Sequence, residues 1–146
     1  MEIKNILCPT DFSDISKSAI DYAVSMARSF DAKLILMHSE DQLHGFDQYQ
    51  ILALTPHEIA EKMLKQAEAE LEQIAGNIAK DIKVETAVRQ GKAFVEIIQM
   101  AAERDVDLIV MGSHGRTGLS HAMLGSVAEK VVRKAPCPVL IAKEKK

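Results

Sequence analysis

The sequence predicts an α/β protein with a single doubly wound parallel sheet and helices on both of its faces. Three observations lead there. Short apolar runs that are continuous rather than alternating, such as Leu34-Ile35-Leu36-Met37 and Leu108-Ile109-Val110, recur along the chain; strands of that kind are covered by helices on both faces. Stretches with apolar residues at helical spacing separate them, and such alternation joins parallel strands through crossovers. Residues 111–126 are a glycine-rich segment between an apolar run and a helix start, the kind of place where doubly wound sheets bind ligands.

Residues 3–8 are a short apolar run closed by Pro9, a strand ending at a turn. Ser13 or Asp14 caps the next helix, in which Ile15, Ala19, Ala23, Ala27 and Phe30, joined by Ile20, Val24 and Met26, recur at helical spacing. Residues 33–38 form the second strand, apolar on both faces. Residues 40–54 show no clear period; Gly45 interrupts them, and Phe46, Tyr49, Ile51, Leu52 and Leu54 predict a loop that packs down, with or without a helical turn. Thr55-Pro56-His57-Glu58 starts a helix: Thr55 caps it, Pro56 takes its first position and Glu58 completes a capping box. Ile59, Met63, Ala67, Leu71, Ile74 and Ile78 line one face of that helix, which ends between Gly76 and Asp81. Residues 82–88 alternate as a half-exposed or edge strand does, and Gly91 breaks them. Phe94, Ile97, Ile98 and Ala101 mark a helix to about Arg104, and residues 108–111 are strand four. Val127, Val131 and Val132 mark the last helix, Pro136 and Pro138 stop it, and Val139–Ala142 is strand five before a solvated tail.

No internal repeat or boundary divides the chain, so its 146 residues are read as one domain, 1–146; a chain of this length buries about two thirds of its unfolded surface. The net charge of −3 gives no general attraction to nucleic acid or to an anionic membrane surface, so neither is an expected partner and an anionic ligand needs a local site. No apolar run reaches the length of a membrane span. Glu2, Lys4 and Asn5 interrupt any signal-peptide core. Cys8 and Cys137 are too few for a disulfide framework and are expected as buried free thiols beside strands. Together these features fit a reducing cytoplasm.

The glycine-rich segment offers bare backbone N–H groups to an anion, and the helix that follows adds partial positive charge at the same spot. Glycine also lets backbone approach a phosphate with no Cβ in the way. The plainer reading, a tight connection, suffices for Gly118, but Gly112, Gly115 and Gly125 together go further.

Their spacing, Gly112, two residues, Gly115, nine residues, then Gly125-Ser126, resembles the ATP-binding pattern of the universal stress protein family. Ile6-Leu7-Cys8-Pro9-Thr10-Asp11-Phe12-Ser13 resembles that family's first strand and Pro-Thr-Asp turn, and Pro136-Cys137-Pro138-Val139-Leu140-Ile141 its last strand, so the resemblance spans essentially the whole chain. It implies a five-stranded sheet of order 3-2-1-4-5, the adenine nucleotide alpha hydrolase-like arrangement, in which winding reverses between strands one and four. Pro9, Thr10 and Asp11 leave strand one there and Gly112 leaves strand four, so the two motifs are expected to meet at one crevice.

The same resemblance implies a site for ATP with Mg²⁺. Asp11 accepts hydrogen bonds from base or ribose, or holds Mg²⁺ through water; it also fits the simple role of a turn or helix-start acid. Ser39 matches a position whose backbone reads the adenine edge. Met111 and Gly112 lie along the ribose. Gly115, Gly125, Ser126 and the Val127 amide surround the phosphates, although Ser126 equally fits a helix cap. Arg116 adds charge for a phosphate, or is a solvated loop arginine.

Other chemistries are disfavoured. A dinucleotide fingerprint would follow the first strand, where Pro9-Thr10-Asp11 stands instead. No Gly-Lys-Ser/Thr follows a glycine loop, and strand three ends at Val88-Arg89 without the aspartate of a phospho-receiver. His38 ends a strand, where packing is its expected role, and His44 and His57 fall in loop and helix-start contexts. His114 and His121 lack a third ligand at metal spacing, so the protein alone supplies no metal site. The expected function is therefore an ATP-binding regulatory protein that signals through its bound state to a downstream partner the sequence does not name. The alternative is a slow ATP hydrolase, or a phosphoryl or nucleotidyl transferase, in the same crevice; no general base with a supporting partner is visible, and no catalytic residue is assigned. Val139–Ala142 would be a fully apolar edge strand, which invites pairing. Similar proteins pair this strand across a two-fold axis, so a homodimer is expected unless residues 40–54 or the tail cover the edge.

Overall fold

The computed structural model describes residues 1–41, 54–115 and 123–143. Its strands are β1 (Asn5–Pro9), β2 (Lys33–Glu40), β3 (Val84–Gln90), β4 (Leu108–Gly112) and β5 (Val139–Ala142). Between them stand α1 (Asp14–Phe30), α2 (Pro56–Gly76), α3 (Ala93–Glu103) and α4 (Ser126–Lys134). All strand pairs are parallel and the order is β3-β2-β1-β4-β5, so the winding reverses between β1 and β4. The loop expected over residues 40–54 lies, from residue 42 to residue 53, outside the described residues.

Local chemistry sets the element ends. Ser13, not Asp14, caps α1, its side chain accepting from the Ser16 N–H. Asp31 ends the helix in the left-handed region at φ 53°, its N–H turned back to the last carbonyls. Thr55 caps α2 by accepting from the Glu58 N–H at 3.2 Å, with Pro56 in the first turn. Two strands run further than their side chains suggest. β2 continues through Ser39 and Glu40 because their backbones pair with Arg89 and Gln90, and backbone pairing needs no apolar side chain. β3 likewise runs on to Gln90, past the alternating run, and begins at Val84 with the buried Ile82 ahead of it.

The pleat sorts the core into two layers. Ile6, Cys8, Leu34, Leu36, Leu108 and Val110 pack with Ala19, Ile20, Ala23 and Ala27 of α1 and Leu71 of α2. Leu7, Ile35, Met37, Ile109 and Met111 face the other way, onto Ile97, Met100 and Ala101 of α3 and Ala128 and Val131 of α4. Helices thus cover both faces, which is why the strand runs are apolar at successive positions. Among the described residues no helix is long and apolar enough to cross a membrane. Both cysteines are free thiols; Cys8 is buried as expected, but Cys137 is only half-buried, just ahead of β5, the last strand of the sheet among the described residues.

The register locates the crevice. β1 pairs with β2 as far as Pro9 opposite Met37, and β4 with β5 as far as Gly112 opposite Ala142. Between β1 and β4 the paired residues are Ile6 with Leu108 and Leu7 with Ile109. The two central strands therefore part beyond Leu7 and Ile109, at the carboxyl end of the sheet and at the point of reversal.

Candidate functional site

The turn after β1 is built by Thr10. Its N–H donates to the Met37 carbonyl at 2.8 Å, which extends the strand pairing by one bond. Its buried hydroxyl shares a hydrogen bond with Ser16 at 2.9 Å and accepts from the Phe12 N–H at 3.0 Å. Thr10 thus spends its side chain on the turn, and Phe12 completes it in the left-handed region at φ 67°. Asp11, between them, is half-buried. One of its oxygens accepts from the N–H and hydroxyl of Ser13, the N–H at 3.0 Å. The other lies against Gly115, in the space a side chain there would need. Two motifs more than a hundred residues apart meet in that contact.

The base of the glycine segment is pinned at both sides. The Ser113 N–H donates to the Ala142 carbonyl at 3.1 Å, and the Gly125 N–H donates to the Ser113 carbonyl at 2.6 Å. Gly112 ends β4 against Ile15; a Cβ there would stand 3.3 Å from two Ile15 carbons. At Gly125 a Cβ would stand 3.0 Å from the His114 Cα and 3.2 Å from the Ser113 oxygen. Met111 is buried in the layer beneath α3 and α4. Gly125 takes the cap position of α4 with no side-chain cap bond. Ser126 is the first helical residue rather than the cap, and its side chain is exposed. The first N–H groups of a helix have no partner within it, so Ser126, Val127 and Ala128 present donors with the favourable dipole end at the crevice. Arg116, Gly118 and His121 lie outside the described residues.

Ser39 faces the crevice with its backbone. Lys33 and Met37, at the same parity along β2, bond to the β1 side, while Leu34 and Glu40 bond to the β3 side. The N–H and C=O of Ser39 accordingly point toward β1, past Pro9, where β1 has already turned away. Its hydroxyl is used elsewhere, donating to the Gly91 carbonyl at 2.8 Å.

His38 does more than pack. It is buried, its Nδ1 stands 2.7 Å from the Thr10 carbonyl oxygen, and its Nε2 stands 2.7 Å from a Glu40 carboxylate oxygen. The Phe12 ring lies over it, with centroids 4.6 Å apart. The turn that carries Asp11 therefore leans on His38. The sequence held a signal for this: His38 and Glu40 are two apart on one strand and so share a face, an unusual polar pair in an apolar run.

A parallel sheet that opens at its point of reversal, with a helix start free of a side-chain cap and a glycine segment at the opening, belongs to the doubly wound α/β class. Within that class the profile described as the universal stress protein family matches residues 2–143. The chain belongs to that family. It is 34% identical to universal stress protein MJ0531 of Methanocaldococcus jannaschii over 98% of this chain and 84% of that protein. It is also similar to MJ0577 of the same organism, whose solved structure superposes with a TM-score of 0.86 at 31% identity, over 100% of this chain and 99% of the other. A universal stress protein solved in complex with cAMP shares the fold at 24% identity and a TM-score of 0.65, over 99% of this chain and 100% of the other.

Proposed function

We propose that this universal stress protein binds ATP in the crevice between β1 and β4 and acts as a regulator through its occupied state. The carrying observation is the convergence of Asp11 with Gly115 beside the uncapped start of α4. The phosphates lie against Gly115, Gly125 and the Ser126 and Val127 amides, donors that a helix cap would otherwise have occupied. The ribose runs along Met111 and Gly112. The adenine lies toward Ser39, whose N–H and C=O offer the donor and acceptor that the edge of the base complements. Asp11 binds base or ribose, or reaches Mg²⁺ on the phosphates through water. Pro9 and Thr10 contribute the rigid turn, and Arg116 adds charge at the phosphates. The protein works in the reducing cytoplasm, which suits its two free thiols. It pairs with a second copy through β5 and signals to a further protein.

Calorimetry with ATP, with and without Mg²⁺, tests the reading, and AMP, cAMP and adenosine report how much affinity the phosphates supply. ATP binds to the wild type, more tightly than adenosine. Ser126→Ala weakens binding by only about 1 kcal/mol, one hydrogen bond's worth, because the backbone donors remain. A folded wild type that takes up no ATP makes the glycine segment a connection and nothing more.

A further inference from the structure

The hydrogen bonds of His38 require a proton that a neutral histidine beside an ionised glutamate does not have. The Thr10 carbonyl can only accept, so Nδ1 donates to it. Nε2 then faces a Glu40 oxygen at 2.7 Å, and one proton must stand between them, carried by the ring or by the carboxyl. Without it a lone pair would confront a carboxylate at contact distance. Water gives little relief, since the side chains are 5% and 19% exposed.

Among the described residues Glu40 is the carboxylate in hydrogen-bond contact with the ring. From β3 the residue opposite is Val88. The buried residues of α1 are Ile15, Ser16, Ala19, Ile20, Ala23 and Ala27, and those of α2 are Ile59, Met63, Ala67 and Leu71, none of them ionisable. The turn contributes the Thr10 carbonyl and the Phe12 ring. Asp11, in the same turn, is directed at Ser13 and Gly115. Among the described residues Glu40 is the group within ion-pair distance of His38, and Asp41 follows it in the chain.

We propose that His38 is a positioning residue whose proton, shared with Glu40, holds the Thr10 carbonyl and thereby the turn that sets Asp11 against Gly115, so that ligand binding in the crevice is linked to that proton. The ligand rests on the nucleotide reading; the proton and its hold on the turn do not.

The test is a pH titration of isotope-labelled wild type and Glu40→Gln, from about pH 5 to about pH 10, which includes the range of about pH 5 to 8 where histidine charge ordinarily changes. Nuclear magnetic resonance follows the His38 ring nitrogens, the Glu40 carboxyl carbon and the amides of Thr10, Asp11 and Phe12, and calorimetry with ATP runs in parallel. In wild type the turn is held while the pair keeps the proton between Nε2 and the Glu40 carboxyl. Its loss on raising the pH moves the three turn amides together and raises the ATP dissociation constant by up to about tenfold per pH unit, the limit for one linked proton. In Glu40→Gln the side-chain amide donates to a neutral Nε2, so the turn is held with no extra proton and both the amide shifts and the affinity lose that dependence. An unprotonated Nε2 beside an ionised Glu40 at neutral pH overturns the proposal. So does a Glu40→Gln protein that keeps the wild-type pH profile. If wild type binds no ATP, the nucleotide reading falls, while the ring and the turn amides still decide whether the proton holds the turn.

Discussion

The carboxylate of Asp11 lies against Gly115, in the space where a Cβ would stand, and joins the turn after β1 to the segment after β4. The contact is possible because β1 and β4 part beyond Leu7 and Ile109, and because the glycine has no side chain to hold the carboxylate off.

Gly115→Ala therefore displaces Asp11 rather than unfolding the protein. What the new methyl meets is the end of a flexible side chain, so thermal stability stays within about 0.5 kcal/mol, as for most surface changes. ATP affinity falls by about tenfold or more, as expected when a charged hydrogen bond and a close backbone approach are lost together. Calorimetry and a thermal melt on one preparation separate the two effects.

Gly125→Val behaves differently. From sequence alone it is expected to act as a Gly115 variant does, by blocking phosphate approach. In the structure its Cβ meets the His114 Cα at 3.0 Å and the Ser113 oxygen at 3.2 Å. Those are backbone atoms, so the loop base must shift, and stability drops by about 1–3 kcal/mol, the usual cost of overpacking. The check is denaturant unfolding without ligand; a Gly125→Val midpoint equal to wild type would show that the loop base gives way freely.

Leu140→Lys is expected to split the homodimer proposed through β5. β5 is a sheet edge whose Val139, Leu140 and Ile141 remain half-buried in the single chain, and a lysine on such an edge opposes pairing. Light scattering at micromolar concentration should give twice the chain mass for wild type and the chain mass for the variant. A wild type that is already a monomer sinks the dimer.

Cys8 makes stability fall at high pH. Burial pushes its thiol from 9.0 up to about 12, so between those values the folded chain keeps a proton that the unfolded chain releases. The contribution is whole below about pH 9 and is lost as pH rises toward 12, with a slope of about 1.4 kcal/mol per pH unit in that window. Unfolding midpoints of Cys8→Ala should fall less steeply than those of wild type above pH 9. A thiol reagent should label Cys137 in the native protein and Cys8 only after unfolding.

Side-chain pattern marked the elements well where side chains decide them. Val139–Ala142 was legible to the residue because Pro136 and Pro138 bracket one end of an apolar run. The cap of α2 was legible because Thr55 and Pro56 act on their own helix. The pattern failed where backbone or distant packing decides. Ser39 and Glu40 are polar yet complete β2. Ser126 offers a hydroxyl for capping, but Gly125 takes the cap position, where a Cβ would stand 3.0 Å from the His114 Cα, a contact that closes a loop rather than follows a local period. Within the site the meeting of the turn after β1 with the segment after β4 followed from the sheet order that the family resemblance implies, whereas the contact of Asp11 with Gly115 and the part played by His38 depended on where Asp11 and Thr10 turn their oxygens.

The glycine cap of α4 has a consequence for its dynamics. A nine-residue helix with no side-chain cap begins at the low end of local stability, where the first turn opens and exchanges its amides with solvent. An anion on those N–H groups supplies the missing cap, and occupancy then slows exchange in the first turn before any larger movement occurs. If the crevice takes ATP as proposed, the beginning of α4 is a place where the filled and empty protein differ in lifetime rather than in shape.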